Sequence, residues 1–323
     1  MELGGVTAYI VSLVIMASIY AVFCLGLNIQ WGYTGLFNIG IAGFFCIGAY
    51  TSAMVTKPMP SGVLAQYVHQ LFGLNLPFVF GLLGAALVCG LVALIIGVPT
   101  LRLNEDYLAI ATLGIAETFR LIFNNERWLA NGPQGLMGLP QPLHKLIGER
   151  HYDFVYLGIV LAVMLLIYLL IERGIRSPWG RVLRAIREDE ISAAASGKNV
   201  FRFKMQSLVF GSMVMGVGGA LYAHYTKAIS PDVFTPLYGT FIIWVMLMAG
   251  GSGNNKGAIL GAYAIWGIWI GSDFLMDMLP AVIRDKGPYL RFLVVGLLLE
   301  VILVYRPQGI LGEEKKVSKL MDS

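Results

Sequence analysis

Two charged residues stand inside an otherwise apolar stretch, Glu117 and Arg120, three positions apart in the run 107–126. Residues at that spacing share a helix face. A lone charge at the centre of a lipid bilayer costs roughly 2.5–3.5 kcal/mol on insertion scales, so in a spanning helix both must turn inward. They then serve either as a polar element of a pathway or as a structural ion pair that fixes helix packing. Asn38 is a second polar candidate for a pathway, at the end of a broken stretch, Asn28 to Gly40, that places Asn, Gln, Thr and several glycines between two apolar runs. Covalent chemistry finds no footing. Cys24, Cys46 and Cys89 each lie inside an apolar run without Cys-x-x-Cys spacing, and no His or Cys cluster has metal-ligand spacing. The stretch Gly250 to Gly257 is glycine-rich, but Lys256 is followed by Gly257 and no strand precedes it, so it reads as a tight turn and not as a phosphate-cradling loop.

The solvent these residues require is lipid. Of 323 residues, 57% are hydrophobic and 13% are charged, about half the charged share of an ordinary soluble domain. The net charge of +4 comes from short basic clusters, without the continuous basic face that nucleic-acid binding needs. A bilayer core of about 30 Å takes roughly 20 apolar residues per helix. That template selects about nine runs (8–10), near 6–27, 35–56, 77–100, 107–126, 153–172, 204–226, 238–254, 257–279 and 289–306. They are continuous, without the ten-residue alternation of membrane β-strands, so the expected class is all-α: a polytopic transmembrane bundle. Polar backbone at membrane depth survives only under protein or beside a water-filled cavity, which makes 28–40 at least one broken helix or else an ordinary turn. The first run lacks a basic flank and a clear cleavage site, and is expected to stay as an anchor.

Basic residues collect on the cytoplasmic side. The segment 173–204 holds eight, Arg173, Arg176, Arg181, Arg184, Arg187, Lys198, Arg202 and Lys204, and is expected to be cytoplasmic. Counting spans then puts the N-terminus outside and the tail, with Arg306, Lys315, Lys316 and Lys319, inside; the basic residues around Arg284 to Arg291 are a mild conflict. Within 173–204, Glu188 to Ser196 is rich in helix formers, with Glu188, Asp189 and Glu190 at its start and Gly197 suited to a left-handed cap. A short surface helix is expected there. Gly253, Gly257 and Gly261 recur every fourth residue, a spacing that lets another helix approach closely, and Gly267 and Gly271 follow. His224 reads as an interfacial histidine, Asp273 and Asp277 as solvated, and Glu300 as pointing to the cytoplasmic boundary.

The loop Ser177 to Asn199 resembles the Glu-Ala-Ala…Gly cytoplasmic loop of bacterial ABC importer permeases. Together with Gly32-Tyr33-Thr34-Gly35-Leu36-Phe37-Asn38-Ile39-Gly40 and Ala249-Gly250-Gly251-Ser252-Gly253-Asn254-Asn255-Lys256-Gly257, it makes the chain similar to the branched-chain amino acid permease family, in particular its LivM-type members. The resemblance runs from about residue 20 to 312. It implies a single permease domain over 1–323 with a coupling loop at 173–204, in which Arg184, Arg187, Glu188, Asp189, Ala193, Ala194 and Gly197 meet an ATPase. It further implies a bacterial inner-membrane complex with a second homologous permease, two ATPases and an extracytoplasmic binding protein docking on the outer side, where 124–152 lies; the residues of that segment alone read equally as a plain connecting loop. No cofactor is expected on this chain; ATP and Mg are used by the ATPases. The cargo implied is a branched-chain or other neutral amino acid, with urea or amides as an alternative. A self-sufficient secondary transporter, with Glu117 and Arg120 carrying ion coupling, is the rival reading.

Overall fold

The computed structural model describes residues 3–62, 65, 68–144, 148, 151–277, 287–306 and 308–313. The expectations for Arg284, Lys315, Lys316 and Lys319, and for the side chains of Asp273, Asp277 and Arg291, lie outside the described residues.

Every apolar run is built as a helix. In chain order the helices are α1 (Leu3–Leu27), α2 (Ile41–Thr56), α3 (Phe78–Thr100), α4 (Glu105–Asn125), α5 (Arg127–Ala130), α6 (Tyr152–Arg176), α7 (Pro178–Glu188), α8 (Glu190–Ala195), α9 (Val200–Thr226), α10 (Ile242–Gly250), α11 (Asn255–Asp277) and α12 (Gly287–Tyr305). Among the described residues, four stretches are both long and apolar enough to cross a membrane: Gly5–Gly32, Phe78–Thr100, Tyr152–Arg176 and Val200–Thr226. Helix α2 and the segment Leu237–Gly250 are apolar but shorter, while α4 carries Glu117 and Arg120 in mid-run.

Burial separates the centre of the bundle from its rim. The most apolar stretch along α1 is 72% buried and that along α9 is 67% buried, against 28% for α3 and 22% for α6. A helix apolar on all sides must lie inside the protein or face lipid; α1 and α9 take the first solution, α3 and α6 largely the second. Helix α9 packs on α2 and α3, and α1 on α11, α9 and α6. The three cysteines are buried and free. Tyr156 of α6 is fully buried and donates its hydroxyl to the Leu221 carbonyl of α9 at 2.6 Å. Tyr156→Phe removes that bond, and we expect it to cost about 1 kcal/mol, read as a lower thermal unfolding midpoint in detergent with unchanged helix content.

Glycine permits the closest approaches. A Cβ on Gly48 of α2 would stand 2.3 Å from the Gly216 carbonyl oxygen of α9, and one on Gly261 of α11 would stand 2.7 Å from the Gly250 Cα of α10. Gly257 and Gly261 thus pack against Gly250 as small-residue spacing predicts. Gly253 does not join them: it lies in the turn before α11 with φ +80°. The three are not one helix face, because Asn254 starts the helix by accepting the Lys256 and Gly257 backbone N–H groups on its side-chain oxygen at 3.0 and 3.4 Å. Gly267 and Gly271 have nothing within 4 Å among the described residues.

The described part of the segment between α5 and α6 holds more than a plain connection. A 3-10 turn, Gly132–Gln134, leads to β1 (Leu136–Met137), which pairs antiparallel with β2 (Ala228–Ile229) in the register Leu136 to Ile229 and Met137 to Ala228. This ladder is the only sheet among the described residues and leaves the class all-α. His224 is not interfacial. It is fully buried, with Nε2 at 2.9 Å from the Ser52 hydroxyl and Nδ1 at 2.8 Å from the Pro140 carbonyl, so it pins the end of α9 to α2 and to the segment after β1. Glu300 is exposed on α12.

Candidate functional site: the broken segment and the arginine that meets it

Helix α1 does not end cleanly at Leu27. It widens into a π turn, Asn28–Gly32, and then runs as irregular chain to α2. Gly35, at φ +75°, takes a backbone conformation that suits glycine. The polar side chains of Asn28, Gln30, Thr34 and Asn38 are buried here and bonded within the protein. Asn28 accepts the Gly253 N–H at 2.8 Å and donates to Asn255 Oδ1 at 2.9 Å; Asn255 in turn donates to Glu172 at 2.9 Å. Gln30 donates to the Leu208 carbonyl at 3.0 Å and to the Ser212 hydroxyl at 3.2 Å. Thr34 donates to the Ile29 carbonyl at 2.9 Å and meets Ser207 at 2.8 Å.

Asn38 is 1% exposed. Its amide donates to Gln30 at 2.8 Å, its side-chain oxygen accepts the Gly40 N–H at 2.7 Å, and its backbone carbonyl accepts Trp244 Nε1 at 3.1 Å. The structure therefore places Asn38 inside a closed network that sets the entry to α2. The first N–H groups around that entry find side chains on two other elements: Ile39 donates to Thr112 of α4 at 3.0 Å, and Ala42 to Thr240 at 3.0 Å. Thr240 belongs to a second π turn, Leu237–Phe241, that leads into α10. The two breaks lean on each other.

Glu117 and Arg120 form one bidentate pair on α4. Arg120 Nε donates to both Glu117 oxygens at 3.0 Å and Nη2 to one of them at 2.5 Å. The side chains are 35% and 19% exposed respectively, beside the row Thr112, Ala116 and Phe123 that is buried on α4. The pair and Asn38 occupy different settings, one half-exposed and one enclosed.

The segment 178–197 is two helices with a corner between them. Ser177 caps α7, with Pro178 in its first turn. Asp189 breaks it and caps α8 by accepting the Ile191 and Ser192 N–H groups at 2.9 and 3.3 Å, and Gly197 follows at φ +77°. The Ser192 hydroxyl and these two N–H groups hold the exposed Asp189 carboxyl below the usual carboxylate range. The single helix expected from Glu188 to Ser196 is thus corrected: Glu188 ends α7, because the Asp189 side chain competes for the backbone and restarts the helix. The corner is braced by a small apolar core of Ile186, Ala193 and Val200.

The seven residues singled out in this segment divide by direction. Glu188, Asp189, Ala194 and Gly197 are exposed, while Ala193 is buried in the small core. Arg184 donates to the Ile175 carbonyl at 3.2 Å and caps the end of α6. Arg187 points into the bundle: Nη1 donates to the Gly32 carbonyl in the broken segment, and Nη2 to Glu313 at 2.7 Å and to Glu188 at 2.8 Å. Gly35 and Gly253 face the same side chain, with a Cβ on either meeting Arg187 atoms at 3.3 or 3.1 Å. Arg187 thus joins α7, the break after α1, the α10–α11 turn and the tail. Sequence reasoning missed Ile191, which is 81% exposed at the outer corner. The available signal was its spacing, since Ile191, Ala194 and Ala195 share a face of α8, and among the described residues all three are exposed.

A helical bundle with an enclosed polar break, tied by an arginine to a two-helix segment outside it, is the arrangement of a membrane transport subunit. A family model described as branched-chain amino acid transport system / permease component matches residues 9–303, and the chain belongs to that family. It is 28% identical to a probable branched-chain amino acid transport permease protein LivM of Methanocaldococcus jannaschii, over 94% of this chain and 93% of the relative. It is 30% identical to the high-affinity branched-chain amino acid transport system permease proteins LivM of Salmonella typhimurium and Escherichia coli, over 96% of this chain and 72% of each relative. No solved structure matches at a significant level. The chain is an ABC permease, a transport component embedded in the membrane, and not an enzyme.

Proposed function

We propose that this chain is the membrane-spanning subunit of an ATP-driven importer of branched-chain amino acids, with about nine spans, its N-terminus outside and its tail cytoplasmic in a plasma (bacterial inner) membrane. It pairs with a second, similar permease, two ATPases that use ATP and Mg, and an extracytoplasmic binding protein. The family and the names of the relatives support the cargo; the basic segment 173–204 supports the orientation. The observation that carries the mechanism is Arg187, whose contacts with the Gly32 carbonyl and Glu313 give α7–α8 a mechanical hold on the broken segment. ATPase closure against the exposed face of α8 moves α7, and Arg187 transmits that movement to the break. Glu117 and Arg120 stand as candidates for the pathway between the two permeases, and Asn38 as a residue that shapes it.

The test is uptake into proteoliposomes holding the permease pair, with and without the ATPases and binding protein. Uptake that requires all partners and ATP is expected. Transport by the permeases alone, driven by an ion gradient, overturns the reading and makes Glu117 the residue to examine.

A further inference from the structure

At the end of the bundle that carries α7 and α8 there is a polar pocket of about 310 Å³, bounded by Tyr33, Tyr168, Glu172, Arg184, Lys256 and Glu313 among others. That volume lies at the lower end of the range of about 300–1,000 Å³ for small-molecule sites. Its walls carry both signs of charge. Glu172 is held by Arg176 at 2.8 Å and by Asn255, and Glu313 by Arg187. Arg184 and Lys256 form no ion pair among the described residues; Lys256 is exposed, and the one hydrogen bond of Arg184 there goes to a backbone carbonyl. Two cations with spare donors therefore stand beside two carboxylates with spare lone pairs. The rings of Tyr33 and Tyr168 and the side chain of Ile175 supply apolar wall. A zwitterion whose carboxylate and ammonium are joined through one carbon that also bears an aliphatic side chain matches this combination.

The pocket shares its walls with the coupling apparatus. Tyr33 follows the π turn, Gly253 faces Arg187, and Glu313 is the partner of Arg187. A ligand bridging these elements holds them in one arrangement, which disfavours any step that must separate them. We propose that this pocket binds a free aliphatic amino acid from the ATPase side, and that the imported product thereby slows its own uptake. The inference rests on the function and orientation proposed above.

The experiment uses proteoliposomes of the complete transporter oriented for uptake, preloaded on the ATPase side with leucine, glutamate or inorganic phosphate, with initial uptake of labelled substrate as the readout. Leucine is expected to slow uptake by about fivefold, the lower end of ordinary allosteric coupling, while phosphate has no effect. Lys256→Gln is expected to keep the unloaded rate and lose the inhibition. Equilibrium binding of labelled leucine to the complex without its binding protein should fall in the same variant. Equal inhibition by phosphate overturns the zwitterion assignment, as does wild-type uptake indifferent to leucine or inhibition that survives Lys256→Gln. Absence of ATP-dependent uptake from unloaded vesicles instead strikes the function on which the proposal rests.

Discussion

Arg187→Gln is expected to separate ATP hydrolysis from transport: the ATPases still bind and turn over, and uptake per ATP falls by about tenfold or more. The side chain is 23% exposed and its guanidinium is turned toward Gly32 and Glu313, so its removal leaves the outer face of α8 unchanged. What is lost is a charge-assisted hydrogen bond to the Gly32 carbonyl and the ion pairs with Glu313 and Glu188. Hydrogen bonds to charged groups contribute about 1.5–3 kcal/mol each when buried, and partial exposure reduces this. A net loss of about 2 kcal/mol exceeds the 1.4 kcal/mol that corresponds to a tenfold change. Glutamine is too short to reach both partners and carries no charge. Glu313→Gln keeps the Gly32 contact and should have a smaller effect in the same direction. Paired measurements of ATP turnover and uptake decide the matter. An unchanged ratio of the two removes Arg187 from the coupling route, and loss of the ATPase from the variant complex places it at the interface instead.

How much of this was legible in the sequence follows from what periodicity can report. Continuous apolar runs name helices, and each run is one. The broken stretch was visible because its polar residues have no place at membrane depth unless protein covers them. Gly197 was visible because only the backbone conformation at a helix end favours glycine there. The burial of His224 was hidden, since its partners Ser52 and Pro140 lie 172 and 84 residues away. The inward turn of Arg187 was hidden for the same reason, its contact with Gly32 spanning 155 residues. Gly253 was misplaced by a different mechanism. Spacing of four describes a helix without saying where it begins, and the Asn254 side chain begins it one residue later. Asp189 acted likewise in the coupling segment. An acid in a row of helix formers reads as a favourable first-turn charge, yet the same carboxylate, once it accepts two N–H groups, ends one helix and starts another.

Ile191→Glu is the counterpart of the arginine change, expected to abolish assembly while leaving the permease fold intact. Ile191 is 81% exposed, with Ala194 and Ala195 on the same side of α8. Burying an isoleucine side chain contributes about 1.5–3 kcal/mol, and a carboxylate forced into the same apolar contact adds a desolvation cost of its own. A loss of about 3–4 kcal/mol weakens ATPase association by more than a hundredfold on the scale of 1.4 kcal/mol per decade. The permease itself has no reason to respond. Asp189 caps the backbone N–H of residue 191 whatever its side chain, and the core that braces the corner is built from Ile186, Ala193 and Val200. Thermal unfolding of the purified permease should therefore match wild type while the ATPase fails to co-purify and ATP-dependent uptake is lost. An Ile191→Glu complex that purifies whole and transports normally would show that this face of α8 lies free of the ATPase, and the lever built on Arg187 would then have nothing to drive it.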